Sequence, residues 1–220
     1  MSRLKQLYPG AKSALHYTTP FELLVATILS AQCTDARVNK VTARLFAKAN
    51  TPQGILALGR EELESIIQEC GLFRSKAGYI LGACQILVDE YEGKVPADLE
   101  NLMRLPGVGR KTASVILANA FGKPAMPVDT HVFRVSNRLG LARGKTPKEV
   151  EEGLKRLLPE QEWNQAHHLL IRHGRAVCKA RNPQCQICPL KDLCISFQIP
   201  GDGDTGTRKA GGDRPPASTA

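Results

Sequence analysis

Leu105-Pro106-Gly107-Val108-Gly109-Arg110-Lys111-Thr112-Ala113 is the stretch whose reading decides the fold. Upstream of it, Leu99, Leu102 and Met103 form the apolar face of a short helix, and Asp98 suits its N-cap. Pro106 and Gly107 stop that helix. A second apolar-periodic run (Ala113, Ile116, Leu117, Ala120) starts just past Gly109. The stretch therefore reads as helix, glycine-rich hairpin, helix. Gly107 and Gly109 let backbone N–H groups come close to something bulky. The second helix aims its free N–H groups the same way, which makes an anion site. Lys111 falls in its first turn, where the helix dipole disfavours a cation. That position favours the neutral amine, the nucleophilic form. More commonly, a lysine there is a solvated surface charge or a phosphate contact.

From Asn101 to Lys148 the chain carries nine Lys and Arg residues and one carboxylate, Asp129. A lone acid in so basic a window stays ionised. Asp129 also suits the N-cap of a helix carrying Val132, Phe133 and Val135. Capping alone and a chemical role are both open at this point.

At 220 residues the chain fits one large domain or two small ones. Its net charge of +9 and pI of about 9.3 suit a polyanionic partner, either nucleic acid or an acidic membrane surface. No run of 18 apolar residues is present, so no membrane span is expected. Met1-Ser2-Arg3-Leu4-Lys5 lacks the apolar core of a signal peptide, which points to the cytoplasm. In that compartment the seven cysteines are not expected to form disulfides.

Residues 3 to 8 give a short basic helix at most. Thr19, Pro20 and Glu22 read as N-cap, N1 and N3 of a capping box, followed by Phe21, Leu24, Val25 and Ile28 on a buried helix. Thr51-Pro52 and Thr146-Pro147-Lys148-Glu149 repeat that start signal. Glu61 to Glu69, Lys76 to Glu90 and Val150 to Leu158 also read as helices. No segment alternates with a period of two. The fold class is all-α, with roughly ten short helices and no sheet. Gly201 to Ala220 holds no large apolar residue and reads as a disordered tail; its three acids and three bases cancel.

Cys178, Cys185, Cys188 and Cys194 are spaced C-x6-C-x2-C-x5-C. A set this compact binds zinc or an iron–sulfur cluster, and spacing alone does not choose between them. From Trp163 to Lys191 there are five Lys and Arg residues and no acid. Lys179 and Arg181, inside the cysteine loop, suit contacts to DNA phosphates or a balance to the cluster's negative charge. Cys33, Cys70 and Cys84 read as core cysteines. His167 and His168 are adjacent and so lie on different helix faces, which argues against a shared metal.

The hairpin, together with Val128-Asp129-Thr130-His131-Val132 and the cysteine set, resembles the endonuclease III family of helix-hairpin-helix DNA glycosylases. The resemblance runs from about Arg3 to about Phe197. It implies two helical domains with a DNA groove between them. A six-helix domain would cover residues 13–123, with the helix-hairpin-helix at about 99–121. A cluster domain would take residues 1–12 and 124–200. The family's N-terminal helix is usually longer than the one here. The resemblance also implies one [4Fe–4S] cluster on the four cysteines, with a structural role. It implies Lys111 as nucleophile and Asp129 as its partner, in a bifunctional glycosylase and abasic-site lyase acting on oxidised pyrimidines. A glycosylase extracts its target nucleotide from the stack. By resemblance, Gln32 fills the gap and Leu72 wedges the step, Gly107, Gly109 and Arg110 of the hairpin bind the DNA, and Asp35 and His131 support the pocket. On bare sequence Leu72 is a core leucine and Gln32 an exposed helix end. The partner implied is double-stranded DNA carrying a damaged pyrimidine or an abasic site, bound by a monomer.

Relatives within that fold fit less well. Adenine-mismatch glycosylases lack a lysine at the Lys111 position and carry a Glu where this chain has Thr27. The 8-oxoguanine relatives have the lysine but typically no cluster. A non-catalytic DNA-binding module would explain the charge and the glycines, though not Lys111 with Asp129. A zinc-binding regulator would explain only the cysteines.

Overall fold

The computed structural model describes residues 1–198 and is all-helical, with no strand among them. The tail from residue 201 on lies outside the described residues. Among the described residues eleven α-helices run in order: α1 (Ser2–Leu7), α2 (Pro20–Leu29), α3 (Asp35–Lys48), α4 (Pro52–Ile67), α5 (Phe73–Tyr91), α6 (Leu99–Arg104), α7 (Arg110–Ala120), α8 (Thr130–Leu139), α9 (Pro147–Leu157), α10 (Trp163–Ala176) and α11 (Ile195–Gln198).

Three helices start on the same local chemistry. Thr19, Thr51 and Thr146 each accept a hydrogen bond from the backbone N–H three residues on, at 3.1, 3.1 and 3.2 Å, and each is followed by proline at N1. The capping box differs from the sequence expectation in its return half. Glu22 accepts from the backbone and hydroxyl of Thr18 (2.6 and 2.7 Å), and Glu149 accepts from the Lys145 N–H (2.8 Å). In both cases the carboxylate reaches one residue past the cap. Gly59 breaks α4 with φ +74°, so the separate helix expected from Glu61 is the second arm of one kinked element.

Apolar burial divides into two cores. The first gathers Leu23, Leu24, Leu29, Leu45, Ile55 and others from α2 through α7, and ends at Ala125. The second begins at Met126, takes Val132, Val135, Val150, Leu154 and Leu169 from α8 to α10, and recruits Leu4 from the N-terminus. Short as it is, α1 is tied to the second core by Lys5 to Glu162 (2.7 Å), Arg3 to Asp192 (2.7 Å) and the Tyr8 hydroxyl to His173 Nδ1 (3.1 Å). Cys70 and Cys84 are buried as expected, while Cys33 is half-buried at the edge of the first core. Met103 departs from the reading of α6: it is exposed, while Leu102 is fully buried in the first core and Leu99 packs against it.

His167 and His168 lie on α10. Both are buried, and their rings meet edge-on at 4.9 Å between the two cores. His167 Nδ1 donates to the Pro127 carbonyl (2.8 Å), and His168 Nε2 pairs with the Asn119 side chain (3.0 Å). Burial holds both rings neutral, His167 down to about 3 and His168 down to about 4. They are fastening groups, each spoken for by a partner outside α10.

Candidate active site

The hairpin forms as its sequence dictates. Asp98 caps α6 by accepting from the Asn101 N–H (2.9 Å), and Gly109 stands at the N-cap of α7 with no side chain to occupy the free amides. The two glycines do different work. Gly107 has φ +78°, and a Cβ there would sit 2.9 Å from the Cβ of Tyr79, so the fold itself requires it. A Cβ at Gly109 would meet nothing within 4 Å. Open space in front of α7 is therefore kept at Gly109, where an anion can reach the helix amides.

Lys111 is the second residue of α7. Its side chain is open to solvent, yet enough protein surrounds the ammonium to hold its pKa below the usual lysine range. Dehydration is the first cause; the charges of Asp129 and Asp35 oppose it and Arg175 adds to it. The sequence reading reaches the same direction from the helix dipole, whereas dehydration by the surrounding protein is the main cause.

Asp129 caps α8. Its Oδ1 accepts from the backbone N–H groups of His131 (2.9 Å) and Val132 (2.8 Å). Its Oδ2 has no hydrogen-bond partner among the described residues. One oxygen is committed to the helix and the other is free, so capping and chemistry are compatible in one side chain. His131 lies beside it with Nδ1 3.1 Å from Arg134 Nη2, and a guanidinium only donates. Nδ1 is thus the acceptor and Nε2 carries the proton. Burial lowers the ring's pKa, which keeps it neutral. Arg134 continues to the carbonyls of Gly174 (3.0 Å) and Cys178 (3.0 Å), linking this corner to the cysteine loop.

The other singled-out residues fall as follows. Leu72 is 60 % exposed, so it is no core leucine, and it holds a left-handed backbone at φ +59°. Gln32 is exposed and left-handed too, at φ +53°. A non-glycine residue in that region is uncommon and strained, and the two loops abut: a Cβ on Gly71 would be 3.9 Å from the Gln32 carbonyl. Asp35 opens α3 and accepts from Arg175 Nη1 at 2.9 Å. Arg110 is engaged within the chain, donating twice to Glu151 of α9 (2.8 and 3.0 Å). Lys179 and Arg181 are exposed, without an ion-pair partner among the described residues. The sequence reading missed Arg175, Glu151 and Lys76. Their partners lie 140, 41 and 47 residues away, beyond any local pattern.

Cys178, Cys185, Cys188 and Cys194 line one cavity of about 1110 Å³. Burial and the neighbouring thiols push Cys188 and Cys194 up, so four sulfurs compete for one space. No three His, Cys, Asp or Glu side chains among the described residues converge on a single ion. An all-sulfur set around a wide cavity suits a cluster better than one zinc ion. The set is fixed from outside. Arg138 donates to the carbonyls of Lys179 (2.7 Å) and Ala180 (3.2 Å), and His173 Nε2 lies 3.6 Å from Cys188 Sγ.

Comparison with known proteins agrees with this geometry. Residues 25–160 match the family of HhH-GPD superfamily base excision DNA repair proteins, and residues 178–194 match the iron–sulfur binding domain of endonuclease III. The chain is similar to endonuclease III of Rickettsia conorii, 53 % identical over 186 residues covering 84 % of this chain and 89 % of that one. Similarity to endonuclease III of Escherichia coli K12 is 48 % over 194 residues, or 88 % and 92 % of the two chains. Among solved structures, a trapped covalent intermediate of endonuclease III with DNA superposes with a TM-score of 0.85 at 50 % identity, covering 90 % of this chain and 93 % of that one. A thermostable thymine-DNA glycosylase superposes at 0.79 with 26 % identity, covering 90 % and 94 %. The iron–sulfur match begins at Cys178 and ends at Cys194, the first and last of the four cysteines, and the cofactor is a [4Fe–4S] cluster. The chain belongs to the endonuclease III family, a base excision repair glycosylase within the HhH-GPD superfamily.

Proposed function

We propose that the protein removes oxidised pyrimidines of the thymine glycol class from double-stranded DNA through a covalent Lys111 adduct, then nicks the abasic site as a lyase. The observation that carries this reading is the setting of Lys111: an accessible amine, disfavoured as a cation, at the uncapped start of α7. The neutral Nζ attacks C1′ of the extruded nucleotide. The N-glycosidic bond breaks, and its electron pair leaves with the base, which takes up a proton. Asp129, with Oδ2 free, stabilises positive charge on the sugar and accepts the proton that Nζ sheds. Opening of the sugar ring gives a Schiff base on Lys111. Loss of the C2′ proton then expels the 3′ phosphate oxygen, and the strand is cut on the 3′ side.

Gln32 and Leu72 suit the plug and wedge of nucleotide extrusion, since both are exposed on strained, abutting loops. Lys179, Arg181 and the amides around Gly109 suit phosphate contacts made by a monomer. The residues flanking the cluster suit a structural role for it, presenting the basic loop.

Borohydride trapping on a duplex with one thymine glycol tests the reading, with wild type beside Lys111→Ala. The expected result is a covalent protein–DNA band in wild type only. Abasic product without a band would replace it with a monofunctional mechanism in which Asp129 activates water.

A further inference from the structure

Lys76 is a lysine the chemistry above does not use. It is 3 % exposed, in the first turn of α5, on the same stripe as Ile80, Ala83 and Leu87. Its Nζ donates to the backbone carbonyl of Leu29 at 2.9 Å. Leu29 is the last residue of α2, so that carbonyl belongs to the end of the helix where partial negative charge collects. The backbone N–H of Lys76 makes the first helical hydrogen bond of α5, donating to the Leu72 carbonyl at 3.0 Å. Three residues past Leu29 the chain reaches Gln32, and four residues before Lys76 stands Leu72. These two are left-handed non-glycine residues whose loops abut. Burial lowers the lysine's pKa, and the Cys70 and Cys33 thiols beside it oppose that.

A buried ammonium is costly to keep and needs a partner to hold it. Here the partner is the end of one probing loop's helix, while the lysine's own backbone holds the other loop. We propose that Lys76 is a positioning residue that fixes the Gln32 and Leu72 loops to each other, so that plug and wedge enter the duplex as a unit. The inference rests on the plug-and-wedge reading above and adds to it the group that sets their spacing.

The test uses holoprotein with Lys111→Ala to stop the chemistry, and a duplex with thymine glycol opposite 2-aminopurine. Extrusion and plugging unstack the 2-aminopurine and raise its fluorescence. Adding Lys76→Met is expected to cut that rise about five-fold or more, with affinity for undamaged DNA and the visible absorbance of the cluster unchanged. Lys76→Gln, which keeps an N–H donor, is expected to lose less, about two- to threefold. Adding Lys76→Met to Leu72→Ala is expected to cost nothing further, because both disable one unit. An undiminished rise in Lys76→Met overturns the positioning role. So does a loss matched by equal loss of undamaged-DNA binding. If Lys76→Met does not fold, Lys76→Gln decides: a full rise overturns the proposal and a partial one upholds it. Should Leu72→Ala and Gln32→Ala both leave the rise intact, the plug-and-wedge reading itself falls.

Discussion

Arg175 donates from Nη1 to Asp35 Oδ2 at 2.9 Å, joining the end of α10 on the second core to the start of α3 on the first. Both charges act on Lys111, with opposite signs: Asp35 raises its pKa and Arg175 lowers it. Removing Arg175 therefore raises the pKa of Lys111 and also leaves Asp35 unpaired, which pushes the same way. Arg175→Ala should move the pH profile of kcat/KM to higher pH and cut activity at neutral pH about two- to threefold. Asp35→Asn should move the profile to lower pH. The double variant should lie near wild type, since a pair seen from one side largely cancels. Profiles displaced in the same direction would show that the pair does not act through Lys111.

Lys111 itself sets an opposition between activity and stability. The neutral amine is the reactive form, so activity should rise with pH through a pKa below the ordinary lysine value of 10.5. For stability the sign is the reverse of a salt-bridged lysine. The folded pKa lies below the unfolded one, so the penalty is fully present at low and neutral pH. It is relieved as pH climbs from the folded value toward the unfolded one. Lys111→Met should accordingly abolish activity while raising Tm at pH 7 by about 1–2 °C, a small gain because solvent reaches the side chain. The gain should shrink as pH approaches 10.5. Melting curves across that range check it.

Glu151 is 5 % exposed and accepts from Arg110 of α7 and Lys155 of α9, the latter at 2.6 Å. Burial works to raise its pKa, and the bonds from Arg110 and Lys155 more than offset this, leaving it below the usual value of 4.5. Its stabilisation is thus complete above that value and lost as pH falls through the folded pKa. Glu151→Gln should cost about 1–2 kcal/mol at pH 7, discounted because Arg110 and Lys155 are partly exposed, and progressively less as pH falls through the folded pKa. The same pair makes Arg110 a poor phosphate ligand. Lys179→Ala and Arg181→Ala should each lower the slope of log affinity against log salt by about 1, whereas Arg110→Ala should leave it nearly unchanged. Equal slopes for all three would mean that DNA draws Arg110 away from Glu151.

Much of this was legible because it is local. Thr19, Thr51 and Thr146 bind N–H groups three residues away, and Asp129 binds those two and three residues away, so a short window of sequence contains both partners. The hairpin was legible for the same reason. Gly107 was read as space for a ligand because Tyr79, which fills that space, lies 28 residues earlier. Leu72 read as core because nothing in its own neighbourhood signals the left-handed turn that turns it outward. Lys76 sat at the first position of an expected helix, where a charged residue attracts no notice. Only the fold brings the Leu29 carbonyl to it.

Loss of the cluster should separate the two cores in their response. None of Cys178, Cys185, Cys188 and Cys194 contributes to the first core, while Cys178 and Cys188 belong to the second or pack on it. The loop between them is held otherwise by Arg134 and Arg138 on backbone carbonyls, by Arg3 on Asp192 and by burial of Leu190, all contacts that need the loop already in place. Cys188→Ser should therefore remove the iron and leave most helical signal intact, because α2 to α7 do not depend on it. Limited proteolysis should cut first within residues 178–194. DNA affinity should fall about tenfold at low salt as Lys179 and Arg181 lose their fixed positions, with a smaller difference at high salt. An iron-free protein that binds DNA as tightly as the holoprotein would show that the loop is shaped by its protein contacts without the cluster.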